Sequence, residues 1–244
     1  MSRIFFLLSL MCSLAAQCRE LKFVGQESPA FNSTVAGTYT GAMIDIAQAI
    51  CVRLGHQCSF TGMPLLRALT ESRIGHADAV LSLLLNDERS AYLTFSDGII
   101  VSHVAFLGKP GASPVRSESE LDGYTVASVR GSTTLRMLED KAVRLSKMRV
   151  MSETDIATIL QKLHAGRYGE QGLIFGPQVM LENAATELGI PTVAVLVADK
   201  LEFRLGFSKR LEPAIVSDFN SELKKLRSTG ELARIARKYG LDVD

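Results

Sequence analysis

The sequence predicts an α/β protein of two similar lobes, each a mostly parallel sheet flanked by helices, joined by two hinge strands. Three observations carry this expectation. Residues 21 to 107 alternate short apolar runs with amphipathic ones, the rhythm of a parallel sheet covered by helices. Lys109-Pro110-Gly111-Ala112-Ser113-Pro114 is a cluster of chain breakers, and a second strand–helix series begins directly after it. The chain past residue 198 is too short for a third domain and too amphipathic for a tail, so it is expected to return to the first lobe. Two crossovers at one boundary make a hinge, the architecture of a clamshell.

In chain order, residues 21 to 24 form the first strand. Residues 37 to 50 read as a turn feeding a helix: Met43, Ala47, Ile50 and Leu54 recur at helical spacing, and Gly55 is placed to end it. Ser59 and Phe60 lie on the second strand, 65 to 74 is a second helix closed by Gly75, and 78 to 85 and 103 to 107 are further strands. In the second lobe, 124 to 129 is a strand, Gly131-Ser132-Thr133-Thr134 a turn and 135 to 145 a helix. Ser152-Glu153-Thr154-Asp155 is a cap signature for a helix carrying Ile156, Ile159, Leu160 and Leu163 on one face. Residues 173 to 175 and 192 to 197 are short strands, and 213 to 227 and 231 to 239 are helices stopped by Gly230 and Gly240. The expected division is 1–16 a signal peptide, 17–108 the first part of lobe one, 109–198 lobe two, and 199–244 the return to lobe one.

The 244 residues are 47% hydrophobic and 22% charged, enough for two small lobes with a real core. A net charge of +1 offers no footprint for nucleic acid and no polybasic patch for a membrane surface. Arg3, the apolar run 4 to 14, and Ser13 and Ala15 at the −3 and −1 positions of one cleavage site read as a secretory signal peptide. The run is short for a bilayer span. Leu14-Ala15-Ala16-Gln17-Cys18 is close to a lipoprotein box, but Gln17 stands where a small residue is needed, so lipidation is not expected. No later apolar run is long enough for a membrane helix, and a soluble periplasmic protein is expected.

There are four cysteines. Cys12 leaves with the signal peptide and Cys18 is left over. Cys51 and Cys58 are the natural pair in an oxidising compartment, one in the last turns of a helix and the other opening the next strand. Two buried free thiols are the alternative.

The most informative run is DAVLSLLLNDERSAYLTFSD, residues 78 to 97. An apolar strand broken only by Ser82 ends at Asn86-Asp87-Glu88 and delivers Arg89. A guanidinium fixed past the end of a buried strand is a two-pronged clamp for a carboxylate; a surface pair with Asp87 or Glu88 is the alternative. The run resembles the first-lobe signature of the polar amino-acid-binding proteins of ABC importers, solute-binding protein family 3, where a D-A-x-x-S strand and a T-x-E-R-like turn present a carboxylate-binding arginine. GTYTGAMIDIAQAICVRLGHQCSF (37 to 60) is similar to the family's opening, LDGYTVASVRGSTTLRML (121 to 138) to the start of its second lobe, and ELKKLRSTGELARIARKYG (222 to 240) to its closing helices. The Cys51 and Cys58 spacing resembles the disulfide of the lysine/arginine/ornithine- and histidine-binding members. The resemblance implies the periplasmic-binding-protein clamshell, closing around a small ligand.

Residue by residue, the resemblance implies a ligand-binding set of Arg89, Ser82, Ser132, Thr133 and Leu65. Arg89 matches the carboxylate arginine and Ser82 a hydroxyl or backbone contact on the same strand. Leu83 and Leu84 are apolar where members with polar ligands keep serines. Ser132 and Thr133 match second-lobe residues at a helix N-terminus, where free N–H groups and the helix dipole favour an anion; an ordinary helix cap is the alternative. Leu65, after Pro64, matches an apolar platform under the ligand side chain, with plain core as the alternative. Two departures stand out. In the segment 26 to 31 no aromatic stands where the family has one before its Pro-Phe, and Gly176-Pro177-Gln178 replaces the acid that neutralises an α-ammonium. Burying an ammonium without a carboxylate is costly. Glu27 is the candidate substitute from the other lobe, and a carboxylate ligand without a free amine fits equally well.

His56, His76, His103 and His164 lack the spacing of a metal-binding helix and any adjacent carboxylate that marks a triad. No lysine follows Gly131-Ser132-Thr133, so it is not a phosphate loop. No catalytic residue, metal or cofactor is expected. The expected function is capture of an amino acid or other small carboxylate for an ABC-type importer, by a monomer whose partner is a permease in the inner membrane, with no nucleic acid involved. The alternatives are a ligand-sensing or degenerate binding module and, behind it, a periplasmic dehydratase-like enzyme of the same fold.

Overall fold

The computed structural model describes residues 20–243. The signal segment, Cys12 and Cys18 lie outside the described residues. Strand β1 (Glu20–Gly25) leads to a hairpin, β2 (Ser33–Val35) and β3 (Thr38–Thr40), where the sequence reading has a plain turn. Ala36 and Gly37 turn it with φ of 50° and 80°. An Ala-Gly pair lacks the Asn-Gly or Asp-Gly chemistry that announces such turns, so the hairpin has no local signature.

Helix α1 (Ala42–Leu54) ends as expected at Gly55, left-handed at φ 71°, while His56 N–H returns to the Cys51 carbonyl at 2.9 Å. Strand β4 (Gln57–Gly62) follows, and Cys51 is joined to Cys58 with their Cα atoms 6.3 Å apart. Then come α2 (Leu65–Ile74), β5 (Ala79–Leu84), the single turn α3 (Asp87–Ser90), β6 (Leu93–Phe95) and β7 (Ile100–Gly108). The second lobe contributes β8 (Thr125–Val129), α4 (Thr133–Arg144), β9 (Arg149–Glu153), α5 (Ile156–His164), β10 (Gly172–Pro177) and α6 (Gln178–Glu187). Strand β11 (Val193–Ser208) and helices α7 (Pro213–Ser228) and α8 (Glu231–Arg237) complete the chain.

The strands run in the order β4-β1-β5-β11-β7-β10-β8-β9, with β6 beside β11. β1 is parallel to β4 and β5, and β8 is parallel to β9 and β10, so each lobe has a parallel half-sheet. The antiparallel pair β7 and β11 carries the sheet from one lobe to the other. β10 takes up β7 from Val104 onward and β5 takes up β11 from Phe203 onward. Residues 101–103 and 200–202 therefore pair only with each other within this sheet. This narrow section lies earlier on β7 than the breaker cluster, because β7 runs on to Gly108.

β11 is far longer than the expected strand at 192 to 197. Two register shifts, between Ala194 and Leu196 and between Val197 and Lys200, interrupt its apolar alternation and hide the continuation Leu201, Phe203, Leu205, Phe207. Each lobe has its own aromatic centre. Phe207 and Phe219 of the returning helix α7 meet at 5.1 Å between rings, with Phe23 beside both, and Phe106 meets Phe175 at 4.3 Å. Each fully buried ring is worth about 2 to 3 kcal/mol. Lys238 and Tyr239 close on Asp45 at 2.8 and 2.7 Å, fastening the C-terminal helices to α1.

Candidate functional site

The site begins at a fault in β5. Val80 faces Gly206 and Leu83 faces Arg204, so β5 holds one residue more than β11 across this interval. Ser82 absorbs it with φ 55°, a left-handed conformation costly for a residue with a Cβ. Its hydroxyl donates to Asn32 Oδ1. Asn32 in turn donates to the Gln26 carbonyl at 2.5 Å and the Tyr39 hydroxyl at 2.8 Å, and Tyr39 donates to the Gln26 carbonyl at 3.1 Å. Burial pushes the Tyr39 phenol well above its ordinary range, so it stays a donor. This network fixes the loop after β1. It also commits the Ser82 hydroxyl to Asn32.

The turn after β5 is a capped helix of one turn. Asn86 Oδ1 accepts from Arg89 N–H at 2.9 Å, and Asn86 Nδ2 donates to Thr133 Oγ1 of the other lobe at 2.8 Å. Arg89 folds inward, 3% exposed, and donates to the Leu84 carbonyl at 3.1 Å and to the Gly131 carbonyl of the other lobe at 2.9 Å. Among the described residues no carboxylate pairs with it. Glu88 reaches Arg136 of α4 instead, so the alternative of a surface pair does not hold. Burial lowers the Arg89 pKa from 12.5 to about 10, the mark of a cation taken out of water.

Across the cleft stands the N-terminus of α4. Ser132 caps it, its hydroxyl accepting from Leu135 N–H at 2.9 Å and lying 3.0 Å from Thr134 Oγ1. The hydroxyls of Ser132 and Thr133 are thus both engaged; what this end offers an anion is the set of first-turn N–H groups that a helix leaves without internal partners.

These pieces line a narrow cavity with about 40 Å³ of room for the centres of water-sized spheres. Arg89, Ser82, Leu65, Ser132 and Thr133, the five residues matched through the resemblance, all line it. Leu83, Leu84, Val129, Ile156, Phe175, Met180, Leu181 and Phe203 make most of its wall apolar, and Gly176 and Pro177 stand at the end of β10. Arg89 is the one charged side chain among its described lining.

Glu27 is not in this cavity. It lines a second, outer one that shares Gln26, Leu65 and Ile156 with the first and opens toward the mouth of the cleft. Glu27, expected as the substitute for the missing acid, therefore stands in the cavity next to the one that Arg89 lines. Its carboxylate is turned outward, accepting from Thr34 N–H at 2.7 Å and Thr34 Oγ1 at 2.9 Å. A Cβ on Gly62 would stand 2.6 Å from Glu27 Oε1, so glycine makes room for this seat. Asp155 and Glu187 line the same outer cavity from the second lobe. Partial burial works against ionisation of Asp155, but hydrogen bonds from Thr158 and Thr154 outweigh it and hold the carboxyl low. Partial burial, and then the facing Glu27 charge, hold Glu187 above the ordinary carboxylate range.

Sequence reasoning passed over Gln26, Asn86, Ile156, Met180, Phe203 and Glu187. One signal was present for the first: Gln26 directly follows a strand, and in open α/β sheets ligands lie beyond the carboxyl ends of the strands. Ser82 to Leu84, Val129 and Phe175 to Pro177 occupy the same place on β5, β8 and β10.

Two parallel half-sheets, linked by a strand pair and facing each other across a cavity with a buried guanidinium, define a two-lobed ligand-binding protein. No helix among the described residues is long and apolar enough to cross a membrane. The chain belongs to the bacterial extracellular solute-binding proteins, family 3, whose profile matches residues 23–242. It is similar to an arginine-binding periplasmic protein of Mannheimia haemolytica, 24% identical over 234 residues, with 93% of this chain and 94% of that protein covered. Among solved structures it resembles an ancestral arginine-binding protein bound to arginine, TM-score 0.80 at 20% identity, covering 91% of this chain and 98% of that one. It also resembles an ancestral amino-acid-binding protein described as a precursor of cyclohexadienyl dehydratase, TM-score 0.77 at 21% identity, covering 90% and 94%.

Proposed function

We propose that this protein captures a small carboxylate between its lobes in the periplasm and, as a monomer, hands it to an ABC-type importer of the inner membrane. The observation that carries this is Arg89: a guanidinium 3% exposed, at the inner end of an apolar cleft, with no carboxylate partner among the described residues. Such a charge is stabilised when an anion is brought to it and is costly otherwise. In this reading Arg89 clamps the carboxylate, the first N–H groups at Ser132 and Thr133 add donors from the other lobe, Ser82 shapes the wall, and Leu65 supports the ligand from below. The contacts from Asn86 to Thr133 and from Arg89 to Gly131 link the lobes, so ligand capture and lobe closure use the same turn.

The names of the similar proteins point to amino acids, and arginine among them. An α-amino acid with its ammonium beside the carboxylate finds no anion among the described residues of the inner cavity, where Pro177 and Gly176 stand. The same fact weighs against a dehydratase-like reaction, because no acid among the described residues lines the inner cavity to donate a proton to a leaving group. Binding without turnover is the better-supported reading.

A thermal-shift panel of amino acids, aliphatic and aromatic carboxylates, and matched amines on the mature protein tests this. A carboxylate is expected to raise the melting temperature, as any ligand of the folded state does, and Arg89→Met is expected to abolish the rise. Stabilisation by amines alone, or an undiminished rise in Arg89→Met, would overturn the proposal. Conversion of the bound acid, followed by mass spectrometry, would favour the enzyme.

A further inference from the structure

The cleft is electrostatically polarised along its length. Its inner end carries the cation of Arg89 and no acid; its mouth carries Glu27, Asp155 and Glu187, with no lysine or arginine among the lining residues. The two ends are continuous through Gln26, Leu65 and Ile156. The mouth is also a constructed feature. Glu27 is held from two sides by Thr34 and seated over the bare backbone of Gly62, and Glu187 faces it from the opposite lobe. With the protein's net charge at +1, this polarity is local rather than a general acidity.

Resting on the carboxylate reading above, we infer that the ligand is a carboxylate whose positive charge sits at its far end, an ω-amino or ω-guanidino acid with no ammonium next to the carboxyl group. Glu27 and Glu187 are the residues that select the distal cation. Arg89 takes the carboxylate, and the apolar wall of Phe175, Met180 and Leu181 takes the methylenes between. An ammonium on the α carbon would be buried against that wall with no anion to meet it, which is costly. A second carboxylate at the far end would meet the acids of the mouth. The cleft therefore discriminates by where the positive charge lies, and closure brings Glu187 to Glu27 around it.

Three probes of similar length separate the possibilities by calorimetry: 5-guanidinopentanoate, L-arginine and octanoate. The first is expected to bind at least tenfold more tightly than either of the others. In Glu187→Gln its advantage over octanoate is expected to shrink severalfold, and Glu27→Gln serves as the second variant if that protein proves unstable. Octanoate binding as tightly as 5-guanidinopentanoate would overturn the role of the mouth while leaving Arg89 as the carboxylate clamp. L-Arginine binding more tightly than 5-guanidinopentanoate would overturn the exclusion of an α-ammonium. If none of the three binds at millimolar concentration, while amines without a carboxylate do, the carboxylate reading fails and the inference goes with it.

Discussion

Arg89→Met separates what the guanidinium does for the fold from what it does for a ligand. Burial moves the Arg89 pKa from 12.5 to about 10, and a displacement of that size corresponds to roughly 3 kcal/mol against the charged form. Methionine fills much of the same path without the charge and relieves that cost. Against the relief stand the Leu84 and Gly131 carbonyls, which lose their donors, at about 1 kcal/mol for each buried acceptor left alone. The opposing contributions nearly cancel, so the unliganded variant should unfold in urea within about 1 kcal/mol of the parent. Ligand affinity, by contrast, should fall by roughly 2 to 5 kcal/mol, as for a truncated partner of a buried charge pair. Arg89→Lys should recover only part of this, because an ammonium cannot reproduce the two-pronged geometry. Urea melts with and without ligand, together with calorimetry, read both quantities. Loss of several kcal/mol of unliganded stability in Arg89→Met, with affinity intact, would refute the reasoning and make Arg89 a structural latch between Leu84 and Gly131.

Three further outcomes are expected. Replacing Cys51 and Cys58 by alanine should lower stability by about 2 to 3 kcal/mol, the cross-linking gain for so short a loop, measured by urea unfolding against the oxidised parent. At the left-handed Ser82, Ser82→Gly should be more stable than Ser82→Ala. Both lose the bond to Asn32, but glycine sheds strain of about 1 kcal/mol that alanine keeps; alanine at or above glycine in stability would remove the bulge from the account. Binding of 5-guanidinopentanoate should weaken on acidification, starting above the ordinary carboxylate range, because Glu187 is held high and protonates first. The same shift has the opposite sign for the unliganded fold: an acid whose folded pKa is raised favours the folded state below its ordinary value and loses that contribution as pH rises through the raised one. Calorimetry across pH 4 to 8 in several buffers checks the affinity, and a pH-independent value would count against Glu187 at the distal cation.

The lobes and their order were legible because each helix of the first lobe announces both its face and its stop. Met43, Ala47 and Ile50 lie on the buried side of α1, and Gly55 and Gly75 are left-handed stops where the sequence places them. What was not legible arose from interruptions of periodicity. β11 reads as a six-residue strand because two register shifts put Asp199 and Lys200 out of phase, and β5 reads as a strand of regular backbone because a lone polar serine in Leu81-Ser82-Leu83 does not advertise a left-handed residue. Arg89 was singled out because it follows a buried strand and its run resembles the family's first-lobe signature. Glu187 was not, since one acid at the end of an amphipathic helix looks like any solvated residue until the other lobe sets Glu27 opposite.

Glu27 shows how the two kinds of information differ. In the sequence it is the candidate substitute for the missing acid, and in the structure it lines the outer cavity of the cleft. Which part of a ligand it faces depends on the direction of its side chain, and that is decided by Thr34 on a hairpin with no sequence signature and by the missing Cβ at Gly62. Two departures from regular backbone, the hairpin at Ala36 and Gly37 and the bulge at Ser82, lie beside the cleft. Strain of this kind persists only where surrounding contacts over-determine it. Here those contacts are the Asn32 network on one side and the strand β11 on the other. The same rigid frame holds Arg89 dry and Glu27 outward, so the separation between the positive inner end and the acidic mouth is built into the first lobe. In the capture proposed above, closure of the second lobe adds Glu187 to one end and the α4 N–H groups to the other.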